Sequence, residues 1–317
     1  SALCFDTGAL GTGRLWHFHP AAFISHFRKC CWLSTSELKQ LVPLNALNEI
    51  TWSPVHFDDS KGSVPDNIHL SLNKMMQKYL VTTLLRMSCF FGNAIQETKW
   101  LSTTYEGYRY TDRDPRTKAV IGHHNIWYYP WHGRGLLQIT NPHNYFNYFS
   151  FKGRTYPENV KSSLSLEYER LYKHRNLRYS DNHLSDAENS NLPANVIEWR
   201  GNVESPDYEA TDSAGFYWIS REMAKYSDSP HVLERCSIRT NRGVKVYYRS
   251  HSFWNASAAV NLPSQVGKTG YSGINAFDTR CCVYGNAISV LTEMKFPDSN
   301  QQLTIEKPES NQLRRDK

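Results

Sequence analysis

Long apolar runs are missing from this chain; none reaches the roughly eighteen residues that a membrane-crossing helix requires. No basic-then-apolar signal pattern opens it, and Ser1 reads as an engineered start or as a cut from a longer chain. The 7 cysteines are an odd number without regular spacing, and include two vicinal pairs, Cys30-Cys31 and Cys281-Cys282. This argues against a disulfide framework and for buried thiols used as small hydrophobes. Metal-ligand spacing is absent as well: His17/His19 and His123/His124 lack the arrangement of a zinc site, so neither metal nor cofactor is expected. Basic runs are confined to Arg314-Arg315, and a net charge of +6 over 317 residues is modest. That balance suits an anionic polymer and gives no ground for nucleic acid.

Aromatic side chains, by contrast, are plentiful. They make up 13% of the chain, with 9 Trp and 19 Tyr, enough to furnish both a core and stacking platforms in a cleft. The most informative stretch runs from Arg86 to Tyr148. Leu84, Leu85, Met87, Cys89, Phe90, Phe91, Ala94 and Ile95 place apolar side chains nearly all round a helix, which predicts burial. Thr82 or Thr83 supplies its N-cap. Glu97 falls near its end, among apolar neighbours that oppose a bare charge, as the proton donor of an acid-base pair requires.

A second carboxylate, Glu106, follows nine residues later. In one continuous helix that separation would span ~13 Å. Inverting glycosidases hold their two acids roughly 6.5–9.5 Å apart. The helix is therefore expected to break at Ser102-Thr103-Thr104, a weak helix former, and to turn Glu106 back across a cleft. Downstream, Tyr129-Pro130-Trp131-His132-Gly133-Arg134-Gly135 leads into Leu137-Gln138-Ile139-Thr140. The alternation there puts Gln138 and Thr140 on one face of a strand. If that face is the cleft, Thr140 can hold the attacking water beside Glu106; otherwise the two are polar residues on an exposed strand face.

These residues carry a resemblance. Arg86-x-x-x-Phe90-Phe91, then Gln96-Glu97-Thr98, Glu106, and Gly133-Arg134-Gly135-x-x-Gln138-Ile139-Thr140-x-x-x-Asn144-Tyr145 are similar to the family 19 glycoside hydrolases, which include plant-type chitinases and phage endolysins. The likeness covers residues 70–149 well and 210–293 more loosely. Gln96 departs from it, because members commonly carry His there. The resemblance implies a mainly α (α+β) lysozyme-like domain of two lobes, with a small antiparallel β-hairpin lobe beside the cleft. It implies Glu97, Glu106 and Thr140 as catalytic residues, and Trp131, Arg134, Gln138, Asn144, Tyr145, Asn261 and Arg280 as substrate-binding ones. The implied reaction is single displacement at a β-1,4 glycosidic bond of peptidoglycan glycan strands, with chitin as the alternative polymer. Leu15-Trp16-His17-Phe18-His19-Pro20 is similar to a motif in the catalytic ends of bacterial type VI secretion effectors. That likeness implies an antibacterial toxin domain delivered to the target cell wall or periplasm, with secretion machinery and an immunity protein as partners.

The remaining chain divides on composition. Residues 1–66 read as a helical leader capping the core, with one helix after Pro20 carrying Phe23, Phe27 and Cys30-Cys31. A second is opened by the Ser34-x-x-Glu37 capping box and ends near Pro43. Residues 53–66 read as loop and are followed by a helix through Leu70, Leu72, Met75, Met76 and Tyr79, with Asn67 a candidate cap. Residues 67–297 form the catalytic domain. Val120-Ile121 and the Asp112-to-Pro115 turn mark its hairpin, and 150–210 is a polar, irregular insertion of solvated charges. Val283–Met294 is expected as an amphipathic core helix, and 298–317 as a frayed polar tail. Two other classes remain open: an inactive glycan-binding module, and a peptidoglycan amidase or peptidase. The latter would need a Cys/His pair or zinc ligands.

Overall fold

In a computed structural model of the chain, residues 3–6, 14–17, 32–43, 45–48, 51–54, 64–175, 192–241 and 243–309 are described. The architecture is α+β, 48% helical and 14% strand, so helices supply most of the body, with Val246, Tyr248 and Phe296 of the strands joining the same core. All the described strands pair as two-stranded antiparallel hairpins.

The element order follows the sequence patterns closely in the middle of the chain. Hairpin β1 (Leu3–Asp6) and β2 (Arg14–His17) comes first, then α1 (Thr35–Gln40) and hairpin β3 (Asn45–Asn48) and β4 (Thr51–Pro54). Next come α2 (Val64–Lys78), α3 (Leu84–Glu97), and hairpin β5 (Arg109–Arg113) and β6 (Val120–Asn125). Helices α4 (Pro142–Phe151), α5 (Glu158–Lys173), α6 (Ala194–Asn202), α7 (Tyr208–Ser220) and α8 (Met223–Ser227) follow. Hairpin β7 (Glu234–Thr240) and β8 (Gly243–Arg249), α9 (His251–Asn261), α10 (Phe277–Leu291), β9 (Phe296–Pro297) and β10 (Leu303–Ile305) complete it.

Helix α3 is the axis of the core. Thr83 caps it by accepting the Arg86 N–H at 3.2 Å, and its buried residues run unbroken from Met87 to Ile95. A helix apolar all round needs neighbours on every side, and α10, also buried along almost its whole length, packs beside it. The two come close to α9 at Gly92, where a Cβ would meet the Phe253 ring at 2.7 Å. Phe253 in turn stacks on Tyr284 at 4.2 Å between ring centroids. This crossing brings the ends of α9 and α10 alongside the end of α3.

Several expectations are corrected. The loop assigned to 53–66 is partly structured: β4 occupies Thr51–Pro54 and α2 already begins at Val64, leaving Asn67 inside the helix rather than capping it. Trp16 lies on β2, and the helix expected after Pro20 falls outside the described residues. The capping box at Ser34 and Glu37 is present in both its bonds. From α1 and its C-cap, Leu38 and Leu41 join the same core as α3, and Asn286 of α10 donates to the Leu41 carbonyl at 2.8 Å, so this part of the leader belongs to the body.

The 150–210 segment is largely helical where described, through α5, α6 and the start of α7. Its charges are not merely solvated: Arg154 pairs with Glu209 at 2.6 Å, and Arg200 is 6% exposed. The last core helix is α10, buried on nearly all faces where an amphipathic one was expected. The tail through Glu309 is fastened, because β10 pairs β9 and Glu309 pairs with Arg235 at 2.6 Å. Among the described residues no helix is long and apolar enough to cross a membrane.

Candidate active site

Glu97 is the last residue of α3, and the backbone just beyond it reverses sharply. Thr98 caps the helix by turning its own hydroxyl onto the Ala94 carbonyl at 2.7 Å. Lys99, Trp100 and Leu101 then all adopt positive φ, at 47°, 66° and 58°. Left-handed conformation costs a non-glycine residue roughly 1–2 kcal/mol, so three in succession require compensation. Trp100 N–H donates to the Ile95 carbonyl at 2.8 Å, and Leu101 N–H to the Thr98 hydroxyl at 3.1 Å. The Leu101 side chain is also buried. The helix thus stops at Thr98, before the Ser102-Thr104 break expected from propensity.

This reversal returns the chain to the Gly133 segment. Glu106 N–H donates to the Gly133 carbonyl at 2.8 Å, and Gly133 N–H donates back to Glu106 Oε2 at 3.1 Å. Tyr128 donates its hydroxyl to Glu106 Oε1 at 2.7 Å. Burial, and then the Glu106 charge, push the Tyr128 hydroxyl well above the usual phenol range, so it remains a donor. Two neutral donors therefore fix the Glu106 carboxylate.

Glu97 is fixed differently. Arg280, 1% exposed on α10, donates from Nη2 to Glu97 Oε1 and to Asn261 Oδ1 at 3.1 Å. Its Nη1 donates to Asn93 Oδ1 at 3.1 Å, and its Nε to the Asn275 carbonyl at 3.2 Å. The Glu97 carboxylate, expected among apolar neighbours, is therefore met by a buried guanidinium. Arg280 and Asn261, separated in sequence from the central stretch, are brought to the first acid.

Both acids line one cavity of about 270 Å³, together with Gln138, Thr140, Asn261 and Arg280. The strand expected at Leu137–Thr140 is instead a turn, with Gly135 at φ 76° and Gln138 at φ 51°. Gln138 and Thr140 reach the cavity all the same. Gln138 is tied back to the Gly135 carbonyl at 2.8 Å, and Thr140 donates to the Gln138 carbonyl at 3.0 Å. The space Gln138 takes is why Gly133 carries no side chain: a Cβ there would meet Gln138 Oε1 at 2.6 Å.

Four of the expected substrate-binding residues lie outside the cavity wall. Trp131 is fully buried against Tyr145 and Phe146, with no face left for a sugar. Tyr145 is also fully buried and donates to the His132 carbonyl at 2.7 Å. Arg134 spends its donors on the Pro130 carbonyl at 2.9 Å, on Tyr145 and on Glu204 at 3.0 Å. Asn144, 8% exposed, holds the Thr140 carbonyl at 3.0 Å and the Tyr217 hydroxyl at 3.2 Å. These side chains shape the turn from behind. Sequence reading assigned them to the ligand because a motif records which residues recur together, and not which of them face the solvent.

It also missed wall residues. Tyr105, Tyr128, Tyr217 and Lys99 line the cavity, and Asn93 anchors Arg280. Tyr217 sits on α7 in an unbroken run of buried residues, and helical periodicity cannot tell a core face from a cleft floor. Among the described residues no group of three or more His, Cys, Asp or Glu side chains is placed to hold a metal ion. Cys89 is buried, and its thiol is pushed up to about 12, which leaves no thiolate for nucleophilic attack near neutral pH. No protein-family model, curated protein or solved structure matches this chain.

Proposed function

We propose that this chain hydrolyses the glycan strands of peptidoglycan, as a lysozyme-like domain of two lobes with the β5–β6 hairpin beside the cleft. The observation that carries the reading is that Glu97 and Glu106 line one cavity in unlike settings, with Thr140 on the same wall. In this reading Glu97 protonates the leaving oxygen. As its proton departs, the carboxylate left behind meets the Arg280 guanidinium, a charge already in place. Glu106, held by Tyr128 and Gly133, takes the proton of the attacking water. Thr140 gives its own proton to the Gln138 carbonyl, so its oxygen is free to accept the second O–H of that water. The anomeric carbon inverts, and no cofactor takes part.

The likeness to family 19 glycoside hydrolases supports this assignment, and the effector-like motif at Leu15–Pro20 extends it to a toxin domain delivered to a target cell wall or periplasm. Secretion machinery and an immunity protein are then its protein partners. Incubating the protein with purified cell walls and following turbidity, with mass spectrometry of the soluble products, tests the proposal. Glycan fragments with intact stem peptides support it. Freed peptides with intact strands identify an amidase, and binding without turnover identifies a glycan-binding module. Cleavage confined to N-acetylglucosamine oligomers identifies a chitinase.

A further inference from the structure

Four residues with charged side chains line the cavity: Glu97, Lys99, Glu106 and Arg280. Three of them have partners in the protein. Arg280 is committed to Glu97, Asn93 and Asn261, and Glu106 to Tyr128 and Gly133. Lys99 is exposed, and among the described residues no acceptor pairs its ammonium. It is also the first of the three left-handed residues beyond Thr98, at φ 47°. Its N–H donates to the Gln96 carbonyl at 3.2 Å, and Ser102 donates its hydroxyl to the Lys99 carbonyl at 2.6 Å. A glycine would take this backbone without strain, yet a lysine stands here and its position is pinned on both sides.

We infer that Lys99 is a specificity residue that selects glycan strands bearing carboxylates over neutral ones. The inference rests on the hydrolase reading above and deepens it. An N-acetylglucosamine polymer carries no charge. Peptidoglycan carries stem peptides on the lactyl groups of alternate sugars, and those stems bring free carboxylates alongside the strand. A strand lying over Glu97 and Glu106 meets an ammonium one residue beyond Thr98, with three donors and a flexible stem to reach an acid of varying position. The geometry of the two acids serves either polymer; the lysine serves only one.

The experiment compares wild-type, Lys99→Met and Lys99→Arg proteins on stem-bearing glycan strands and on an N-acetylglucosamine hexamer. The expected result is that Lys99→Met lowers kcat/KM on the stem-bearing strands at least roughly tenfold more than on the hexamer, chiefly through KM, as loss of one charge-assisted bond would. Lys99→Arg restores most of that difference. The wild-type preference also shrinks between about 0.01 and 1 M salt, as the screening length falls from about 30 Å to about 3 Å. An equal fall on both substrates overturns the inference. A second measurement does not depend on turnover. The Glu106→Gln protein is titrated with stem-bearing strands and with the same strands after their carboxyls are converted to amides. Tighter binding of the carboxylated strands that disappears when Lys99→Met is added supports the role of Lys99 even where wild-type protein cleaves nothing, which would sink only the hydrolase reading. A preference that survives Lys99→Met overturns the inference. Equal affinity for the two, or affinity for neither, overturns it.

Discussion

Arg280 donates to the carboxylate of Glu97 from 183 residues further along the chain, joining the end of α3 to the first turn of α10. Both helices are buried, so the bond between them rests on a rigid frame and not on loops. That frame makes the aim of Glu97 a property of the core: α3 and α10 pack side by side, and Gly92 lets α9 deliver Asn261 to the same guanidinium.

Glu97→Gln keeps the shape and loses the proton. Hydrolysis of cell walls is expected to fall by at least roughly 10²–10⁴-fold, the range for a general acid. The fold should survive with a lowered melting temperature, because the buried Arg280 keeps an acceptor but loses its counter-charge. Substantial residual activity in the purified variant would move the acid assignment to another residue.

Arg280→Met tests whether the guanidinium acts through Glu97. Alone it should cut kcat by about tenfold or more and lower stability, since it removes a buried donor to Asn93, Asn261 and the Asn275 carbonyl. In a Glu97→Gln background the further loss of kcat should be much smaller, because two groups acting as one are not additive. Additive losses would separate their roles.

Tyr128→Phe removes one of the two donors that fix Glu106 and leaves the Gly133 N–H in place. A fall in kcat of about tenfold, with KM little changed, is the expected outcome in steady-state assays. An unchanged kcat would show that the backbone donor suffices.

How much of this was legible in the sequence differs from residue to residue. Periodicity alone found α3, because an all-round apolar helix leaves an unmistakable pattern. Spacing, set against the separation that an inverting acid pair needs, required a break between Glu97 and Glu106. The mode of that break escaped prediction, since left-handed conformation at Lys99, Trp100 and Leu101 runs against every local preference and is held by bonds to Ile95 and Thr98. Tyr128 escaped for a related reason: nothing local ties a tyrosine to an acid 22 residues earlier until the hairpin folds between them. Arg134 and Trp131 were legible as important but not as buried, because polarity and aromaticity fit a cleft and a core equally well. The helices between residues 158 and 202 were hidden by their charged surface, which masks the few apolar residues, such as Leu164 and Leu171, that fasten α5.

Acid should weaken the protein through Asp212. Burial works against its charge, but hydrogen bonds from Lys78, Lys152 and Tyr79 prevail and hold its carboxyl down at about 2 against an ordinary 3.8. A folded value below the unfolded one means the stabilisation is complete above about pH 4 and disappears as pH falls through about 2. The difference corresponds to about 2 kcal/mol. Asp212→Asn should therefore melt well below wild type at about pH 7, and the gap should narrow as both are scanned toward about pH 2. A constant gap would assign the loss to packing alone.

Stereochemistry is the sharpest test of Glu106. If it activates water, the reaction proceeds by one displacement and the fresh product carries the inverted anomer. Thr140 lines the cavity of about 270 Å³ that both acids share, which is large enough for that water. Glu106→Gln should then abolish turnover while still binding strands, because Tyr128, Gln138 and Asn261 stay in place. Adding a chelator should leave wild-type activity intact, since the step needs only two carboxylates. Proton NMR of the first product formed decides between mechanisms. A retained anomer, or a sugar trapped covalently on Glu106, would make Glu106 a nucleophile and leave Thr140 without a water to hold.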